Sequence, residues 1–157
     1  MLSAGRLAEH LGFDAFFFAD HPAWGLDPWL HMAAVAATTE RIRLGTGVAC
    51  ALYRSPVLTA RLAADIDNLS GGRLILGLGC GWDANEFANL GLPFPPAPER
   101  QAALEEAIAI IRGAWGAEPF SYSGRFFQTT AAHIAPAPLQ RPRPPLLLAG
   151  GGERVTL

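Results

Sequence analysis

The sharpest polar feature of the sequence is the pair Asp20–His21, which directly follows the apolar run Ala15–Ala19. Such a run, apolar on both faces, is typical of a central strand in a parallel sheet. Side chains at the carboxyl end of a parallel strand face the ligand side of an α/β sheet or barrel. A histidine near a strand end is more often structural than catalytic, but at this position His21 can exchange a proton near neutral pH. We therefore predict that His21 is catalytic, and that Asp20 either orients the imidazole or caps the following loop.

Glycines gather at the ends of the other apolar runs, at positions 45 and 47, at 77, 79 and 81, and from 150 to 152. Because glycine has no Cβ, its backbone can approach a flat or anionic ligand closely. The repetition predicts a broad, flat ligand that lies across several strand ends. A Rossmann-type nicotinamide-binding domain is an alternative, but the third glycine comes one residue early for the GxGxxG fingerprint. No strand ending in an acidic residue follows about 20 residues later, as that fingerprint requires.

Strand and helix patterns alternate along the chain with the length of a βαβ unit, about 30 residues. This alternation predicts an α/β fold with a parallel sheet. Asp27–Pro28 and Ser55–Pro56 each place an N-cap residue before a proline at the first helical position. The helix after Ser55 is expected to bury Leu58, Leu62, Ile66 and Leu69 and to stop at Gly71–Gly72. The other expected elements are helices Ser3–Leu11, Asp27–Glu40, Asn85–Leu90 and Glu99–Trp115, strands Ala15–Ala19, Ile42–Val48, Leu74–Leu76 and Leu146–Ala149, and a hairpin over Phe120–Gln128.

Composition excludes several classes of partner. Half of the 157 residues are hydrophobic, 17% are charged, and the net charge is -2, so no basic surface for nucleic acid is expected. No apolar run approaches the roughly 20 residues of a membrane span, and no signal peptide is visible at the start. The two cysteines form no CxxC pair and the four histidines have no metal-ligand spacing. We predict a cytoplasmic protein without a metal site.

Several segments together resemble the bacterial luciferase-like monooxygenase superfamily. They are Leu11–Asp14 with Asp20–His21, Thr39–Val48, Tyr53–Pro56, Leu69–Trp82, and Gln140–Pro145 with the glycines that follow. The Gly-x-Gly-x-Gly-Trp form most resembles the branch that uses the deazaflavin coenzyme F420, and FMN-using relatives share most of the pattern. The resemblance implies an oxidoreductase that transfers hydride between F420, or alternatively FMN, and a small organic substrate.

The fold implied by the resemblance is a partial TIM (β/α)8 barrel. Residues 1–157 would form a single partial domain with strands two to five, lacking the first strand and the last three, with a small hairpin insertion before the fifth. Unpaired apolar strand edges would favour a homo-oligomer or another association through those edges. The alternative is a truncated half-barrel without independent catalysis, which associates with itself or pairs with a missing half.

The resemblance also implies roles for individual positions. His21 matches the proton-transfer residue, and Trp82 stands where sugar-phosphate dehydrogenases of the family carry a glutamate. That difference argues against a sugar-phosphate substrate and favours an apolar or aromatic wall of the substrate pocket. The third-strand end, residues 46–48, often bulges through a strained peptide against the coenzyme ring in this family. The positions that match coenzyme-contacting residues are Asp20, Thr46, Gly47, Val48, Cys80, Gly81, Asn85, Gly150 and Gly151.

Overall fold

The computed structural model of the chain describes residues 2–150, which form five helices and seven strands. None of these helices is both long and apolar enough to cross a membrane. The helices are α1 Leu2–His10, α2 Pro28–Ala36, α3 Pro56–Leu69, α4 Ala84–Asn89 and α5 Ala97–Ala114. The strands are β1 Ala15–Phe18, β2 Arg43–Thr46, β3 Ala49–Cys50, β4 Leu74–Gly79, β5 Phe120–Ser123, β6 Gln128–Ala132 and β7 Leu146–Leu148.

The main sheet is parallel throughout and keeps its strands in sequence order. β1 pairs with β2, β2 and β3 both pair with β4, and β7 pairs with the other side of β4. Since β2 and β3 lie along the same side of β4, the sheet contains four parallel lines of strand. Their order is that of consecutive strands in a barrel wall. The predicted α/β class and parallel barrel arrangement are confirmed. β5 and β6 form the predicted separate hairpin, but it extends to Ala132 because its second strand begins at Gln128, where the prediction ended.

The third strand of the prediction, Ile42–Val48, is interrupted. Gly45 is in register with Ile75 and Ala49 with Leu78, so four steps along β2 and β3 match three steps along β4. The extra residue is a β-bulge, which ends regular pairing locally and redirects the backbone. It contains the Gly47–Val48 peptide, which is cis.

The second helix ends at Ala36, four residues before the predicted end. The hydroxyl of Thr39 donates to the carbonyl of Val35 at 2.8 Å, and the guanidinium of Arg73 donates to the carbonyls of Ala36 and Thr39 at 3.0 Å. Carbonyls at a helix end have no partner within the helix, so these donors stabilise the early stop.

The two predicted N-caps behave differently. Asp27 caps α2 as predicted, because its carboxylate accepts the N–H of Trp29 at 2.9 Å. Ser55 occupies the N-cap position of α3 but makes no side-chain hydrogen bond there. Pro56, with its fixed φ, therefore remains the local reason why α3 begins at this point.

The buried face of α3 differs from the predicted leucine stripe. Leu58 and Leu69 are 50% and 65% exposed, whereas Ile66 is buried as expected and three of the other buried residues of α3 are alanines. Small side chains allow α3 to pack closely against α2, α5 and β4. The leucines of β4 fill the space between the sheet and the helix. The residues that form this alanine-lined contact and the facing strand core are Ala60, Ala63, Ala64, Leu74, Leu76 and Leu78.

Glu9 connects α1 to the start of β2. Its carboxylate accepts the backbone N–H groups of Glu40, Arg41 and Ile42 at 3.0, 2.7 and 2.9 Å. The hydrogen bonds from Ile42 and Arg41 lower the pKa of Glu9 from its usual 4.5 to about 2, since they stabilise the charged form. The ionised carboxylate therefore stabilises the folded state above pH 4.5, and this contribution is lost as the pH falls toward 2.

We predict that Glu9→Gln lowers the midpoint of thermal unfolding at neutral pH. The difference from the wild type should shrink between pH 4.5 and 2, because both carboxyl and amide are then uncharged. Differential scanning fluorimetry across this range measures the effect, with the exposed Glu118→Gln as the matched control. A difference that is independent of pH would contradict the assignment.

Candidate functional site

The carboxyl ends of the parallel strands surround a cavity of about 530 Å³. Its wall combines the strand ends with the loop before α4 and the first turns of α5. Eight residues predicted for the site lie in this wall: Asp20, His21, Gly47, Val48, Cys80, Gly81, Trp82 and Gly150. Four parallel strand lines thus bring together residues that are up to 130 positions apart in the sequence.

His21 is held by Glu86, a residue that sequence reasoning did not select. The imidazole Nδ1 lies 2.6 Å from Oε1 of Glu86, and the hydroxyl of Tyr53 donates to Oε2 at 2.7 Å. Glu86 is only 5% exposed, so both of its oxygens exchange water for protein partners. Three side chains from three different segments thereby form one hydrogen-bonded group at the cavity wall.

The short helix α4 explains why Glu86 points inward. Asp83 is its N-cap and accepts the N–H of Asn85 at 2.8 Å, which fixes the first turn. Phe87 is fully buried and packs edge-on against Tyr53, with ring centroids 5.1 Å apart. The helix face that buries Phe87 also carries Glu86 into the cavity wall, whereas Asn85 is exposed.

Burial and the hydrogen bond to Glu86 raise the pKa of Tyr53 well above its usual value. The phenol therefore keeps its proton over the physiological pH range and acts as a donor. Glu86 consequently has one oxygen committed to Tyr53 and one facing His21.

Asp20 does not orient His21, and it does not cap the loop that follows. Its carboxylate forms a two-point ion pair with the guanidinium of Arg54, at 2.6 and 2.9 Å, and accepts the N–H of Cys50 at 3.2 Å. Burial opposes the charge on Arg54, but hydrogen bonding and charge from Asp20, and then from Asp27, raise its pKa overall. The two roles expected for Asp20 beside His21 are therefore wrong, and the residue links β1 to the segment after β3. Its contact with a coenzyme remains a prediction.

The glycines at the strand ends are explained by internal packing at some positions and lie in the cavity wall at others. A Cβ on Gly77 would collide with the carbonyl oxygen of Thr46, and Gly81 has a φ of +73° and faces the Phe87 ring. Packing within the protein accounts for these positions without a ligand. Gly47, Gly79, Gly81 and Gly150 lie in the cavity wall, so the prediction of a glycine-lined ligand surface applies to these positions, but a Cβ would also meet Phe17 at Gly47 and Val48 at Gly79.

Two predicted coenzyme contacts lie outside the cavity wall, and a third falls outside the described residues. Thr46 is fully buried and donates its hydroxyl to the carbonyl of Gly77 at 2.6 Å, so its side chain holds β2 to β4. Asn85 is exposed and is absent from the cavity wall. Gly151 lies outside the described residues. Their contacts with a coenzyme remain predictions.

Two tryptophans lie against His21, and one of them, Trp82, belongs to the cavity wall. Trp24 is 63% exposed with its ring centroid 4.5 Å from the imidazole, and Trp82 is 69% exposed and edge-on at 6.3 Å. Large exposed aromatic side chains beside a cavity are typical of a binding surface. Trp24 was not predicted, because a single tryptophan in the loop after β1 carries no sequence signal of its own.

Sequence reasoning missed five polar residues of this region, which are Tyr53, Arg54, Glu86, Arg100 and Gln101. Asp83 and Glu86 have the spacing of a capping box, which would place Glu86 at a solvent-exposed helix start. Arg100 belongs to the first turns of α5, where its guanidinium lies 4.1 Å from the centroid of Phe94 and donates to Gly81 at 3.3 Å. These residues belong to the site because contacts with segments distant in sequence bury them there. The local spacing of residues does not reveal such contacts.

Consecutive parallel strands with intervening helices, and a cavity at their carboxyl ends, define a (β/α)-barrel protein. The luciferase-like monooxygenase family matches residues 1–156, and the chain belongs to that family. The resemblance read from the sequence is thus confirmed.

Three relatives give the range of similarity. An F420-dependent glucose-6-phosphate dehydrogenase of Microbacterium testaceum (strain StLB037) is 36% identical over 99% of this chain and 48% of its own length. An F420-dependent secondary alcohol dehydrogenase, solved with an F420–acetone adduct, is 26% identical with a TM-score of 0.86, over 95% of this chain and 47% of its own. The oxygenating constituent of 3,6-diketocamphane monooxygenase from Pseudomonas putida, solved with FMN, is 20% identical with a TM-score of 0.83, over 95% and 44%, and shows the fold alone. The chain thus spans about half the length of these relatives.

We predict that the two thiols react at very different rates. Burial raises the pKa of Cys50 to about 12, so only about one thiol in ten thousand is ionised at pH 8. Both thiols line the cavity, but Cys80 is half-buried whereas Cys50 is buried, so Cys80 is the more accessible of the two. Iodoacetamide at pH 8 should add one adduct quickly, measured by intact mass. Cys80→Ser should abolish this adduct and Cys50→Ser should leave it; the reverse pattern would contradict the prediction.

Proposed function

We propose that this chain forms part of an F420-dependent oxidoreductase, with FMN as the alternative coenzyme, acting on a small organic substrate. The observation that carries the proposal is the cavity at the strand ends, with His21 and its hydrogen-bonded group in the wall. A flat ring system is compatible with this cavity. Its volume lies within the roughly 300–1,000 Å³ typical of ligand sites, and Gly47, Val48, Gly79 and Ala149 supply backbone and small apolar groups.

The residues present indicate separate roles for the coenzyme and the protein. The coenzyme, when bound, supplies the hydride chemistry, and the protein supplies position and electrostatics. Val48, Gly79 and Ala149 would support the ring, while His21 would exchange a proton with the substrate. The names of the relatives at 36% and 26% identity support F420 over FMN.

The residues around His21 favour an uncharged substrate with apolar or aromatic parts. Trp82 and Trp24 present large exposed rings beside His21. Within residues 2–150, the cavity wall contains one cation, Arg100, whose guanidinium is already bonded to the carbonyls of Gly81 and Pro95. A phosphate-bearing substrate would find little free positive charge in this part of the site.

We predict that the chain binds F420, followed by the change in coenzyme fluorescence during titration, and that it binds FMN more weakly. Ala149→Phe should raise the Kd for F420 at least tenfold, because the added ring fills the cavity from an exposed strand end. Leu147→Phe, on the same strand but outside the cavity wall, is the control. If neither coenzyme binds, or if both variants behave alike, the proposal fails.

We further propose that two copies associate through the edges of the parallel sheet. Within the part of the chain that the structure describes, β1 and β7 each pair with one strand only. Phe17 on β1 and Leu147 and Leu148 on β7 are exposed apolar residues. Exposed apolar strand edges favour pairing with another chain. Two copies would contribute eight parallel strand lines, the number in a closed (β/α)8 barrel.

This association predicts a dimer in size-exclusion chromatography with light scattering. Phe17→Lys and Leu147→Lys should each shift the population toward monomer, since edge lysines oppose strand addition. Leu58→Lys, an equally exposed leucine on α3, should leave the dimer intact. A monomeric wild type at all accessible concentrations would rule the association out.

A further inference from the structure

We propose that Glu86 is a positioning residue that selects the ring nitrogen at which His21 exchanges protons. Glu86 holds the proton on Nδ1 and so leaves Nε2 as the exchanging atom. The consequence for turnover rests on the proposed function, whereas the protonation pattern of the imidazole does not.

The hydrogen-bond inventory around Glu86 supports this assignment. An ionised carboxylate can only accept hydrogen bonds. The Tyr53 hydroxyl already donates to Oε2, and the only group close to Oε1 within residues 2–150 is Nδ1 of His21, at 2.6 Å. An unprotonated Nδ1 would place its lone pair against that of the carboxylate oxygen, so the contact requires Nδ1–H to donate.

The neighbouring charges do not compete for Glu86. Asp20 is paired with Arg54, whose guanidinium also contacts Asp27 at 3.1 Å. The remaining partners of Glu86 are therefore Tyr53, a neutral donor, and the imidazole itself. Within residues 2–150, no cation therefore stands between the carboxylate of Glu86 and the imidazole.

Packing holds the pair in place from several sides. Phe87 lies next to Glu86 in α4 and packs on Tyr53, while the Trp24 ring lies tilted against the His21 imidazole at an interplanar angle of 34°. Glu86 comes from a helix 65 residues after His21, so the two side chains are fixed by separate elements. A hydrogen bond between preorganised groups sets the tautomer as well as the ring orientation.

The chemistry that follows is a balanced proton transfer. When a substrate hydroxyl gives its proton to Nε2, the O–H bond breaks, an N–H bond forms, and the electron pair stays on the substrate oxygen. The imidazole then carries protons on both nitrogens, and its positive charge faces the carboxylate of Glu86 through Nδ1–H. Within the described residues Nε2 has no hydrogen-bond partner, and His21 lies in the cavity wall, so this nitrogen is available to a substrate.

Nitrogen-15 NMR of the histidine side chains in the 157-residue chain tests the tautomer directly. In the neutral wild-type imidazole of His21, Nδ1 should be protonated and Nε2 unprotonated, with the signal assigned by its loss in His21→Gln. Glu86→Gln, which keeps the shape but removes the charge, should shift the tautomer ratio toward Nε2–H roughly tenfold or more. Glu105→Gln, an exposed glutamate on α5, is the matched control.

Two outcomes would overturn the proposal. One is a wild-type His21 that carries its proton on Nε2, which would mean that a protonated Glu86 donates to Nδ1. This measurement needs no variant and is unaffected by any loss of folding. The other is a folded Glu86→Gln variant with an unchanged tautomer ratio, which would make Glu86 a purely structural contact.

Turnover and coenzyme binding separate this proposal from the proposed function. In an assay with F420 and a secondary alcohol, Glu86→Gln should lower kcat roughly ten- to a hundredfold while the Kd for F420 changes by less than about twofold. An equal loss of kcat and F420 affinity would contradict a positioning role. If the wild type fails to bind F420 but shows the expected tautomer, the coenzyme assignment fails and the positioning of His21 stands.

Discussion

The close approach of β2 to β4 is the contact on which the rest of the site depends. The Thr46 hydroxyl donates to the carbonyl of Gly77 at 2.6 Å, and no Cβ can fit between Gly77 and the Thr46 carbonyl. Glycine at this position lets two central strands approach where the bulge begins, immediately before Gly47. Because the bulge adds one residue to β2 and β3, the backbone beyond it turns Val48 and Cys50 toward the cavity.

The bulge also brings distant charges together. Cys50 follows it, and its N–H reaches the carboxylate of Asp20 at the end of β1. Arg54, four residues later, completes the ion pair with the same carboxylate, and Tyr53 beside it reaches Glu86. A buried charge is costly unless it is paired and hydrogen-bonded, and here one short segment supplies partners to both carboxylates. The strand contact, the bulge and the charge pairing are therefore successive parts of one arrangement.

The fold could be predicted from the sequence because its signals are local. Apolar runs, proline-initiated helices and glycine stops recur at βαβ spacing, and they predict the class and most element boundaries, whereas the barrel order of the strands was implied by the family resemblance. The exceptions have non-local causes. The end of α2 depends on Arg73 from the following unit, and the buried face of α3 depends on how much space α2, α5 and β4 leave. Leu58 and Leu69 have helical spacing, but the buried face of α3 is formed by Ile66 and by small residues such as Ala60 and Ala63, so these two leucines are exposed.

The site could be predicted only in part, and the pair Asp20–His21 shows why. The sequence places both residues at the end of a parallel strand, and the cavity is there. Successive residues of an extended chain point in opposite directions, so neighbours in sequence rarely serve the same polar group. Asp20 accordingly meets Arg54, and the imidazole of His21 meets a carboxylate from α4. An acid next to a histidine in sequence is therefore weak evidence for a dyad in an α/β protein, since the functional partner comes from another element. Glu86 could not be recognised from the sequence, because its capping-box spacing from Asp83 already explains a glutamate at this position. Its burial depends on contacts with distant segments, which no local pattern shows.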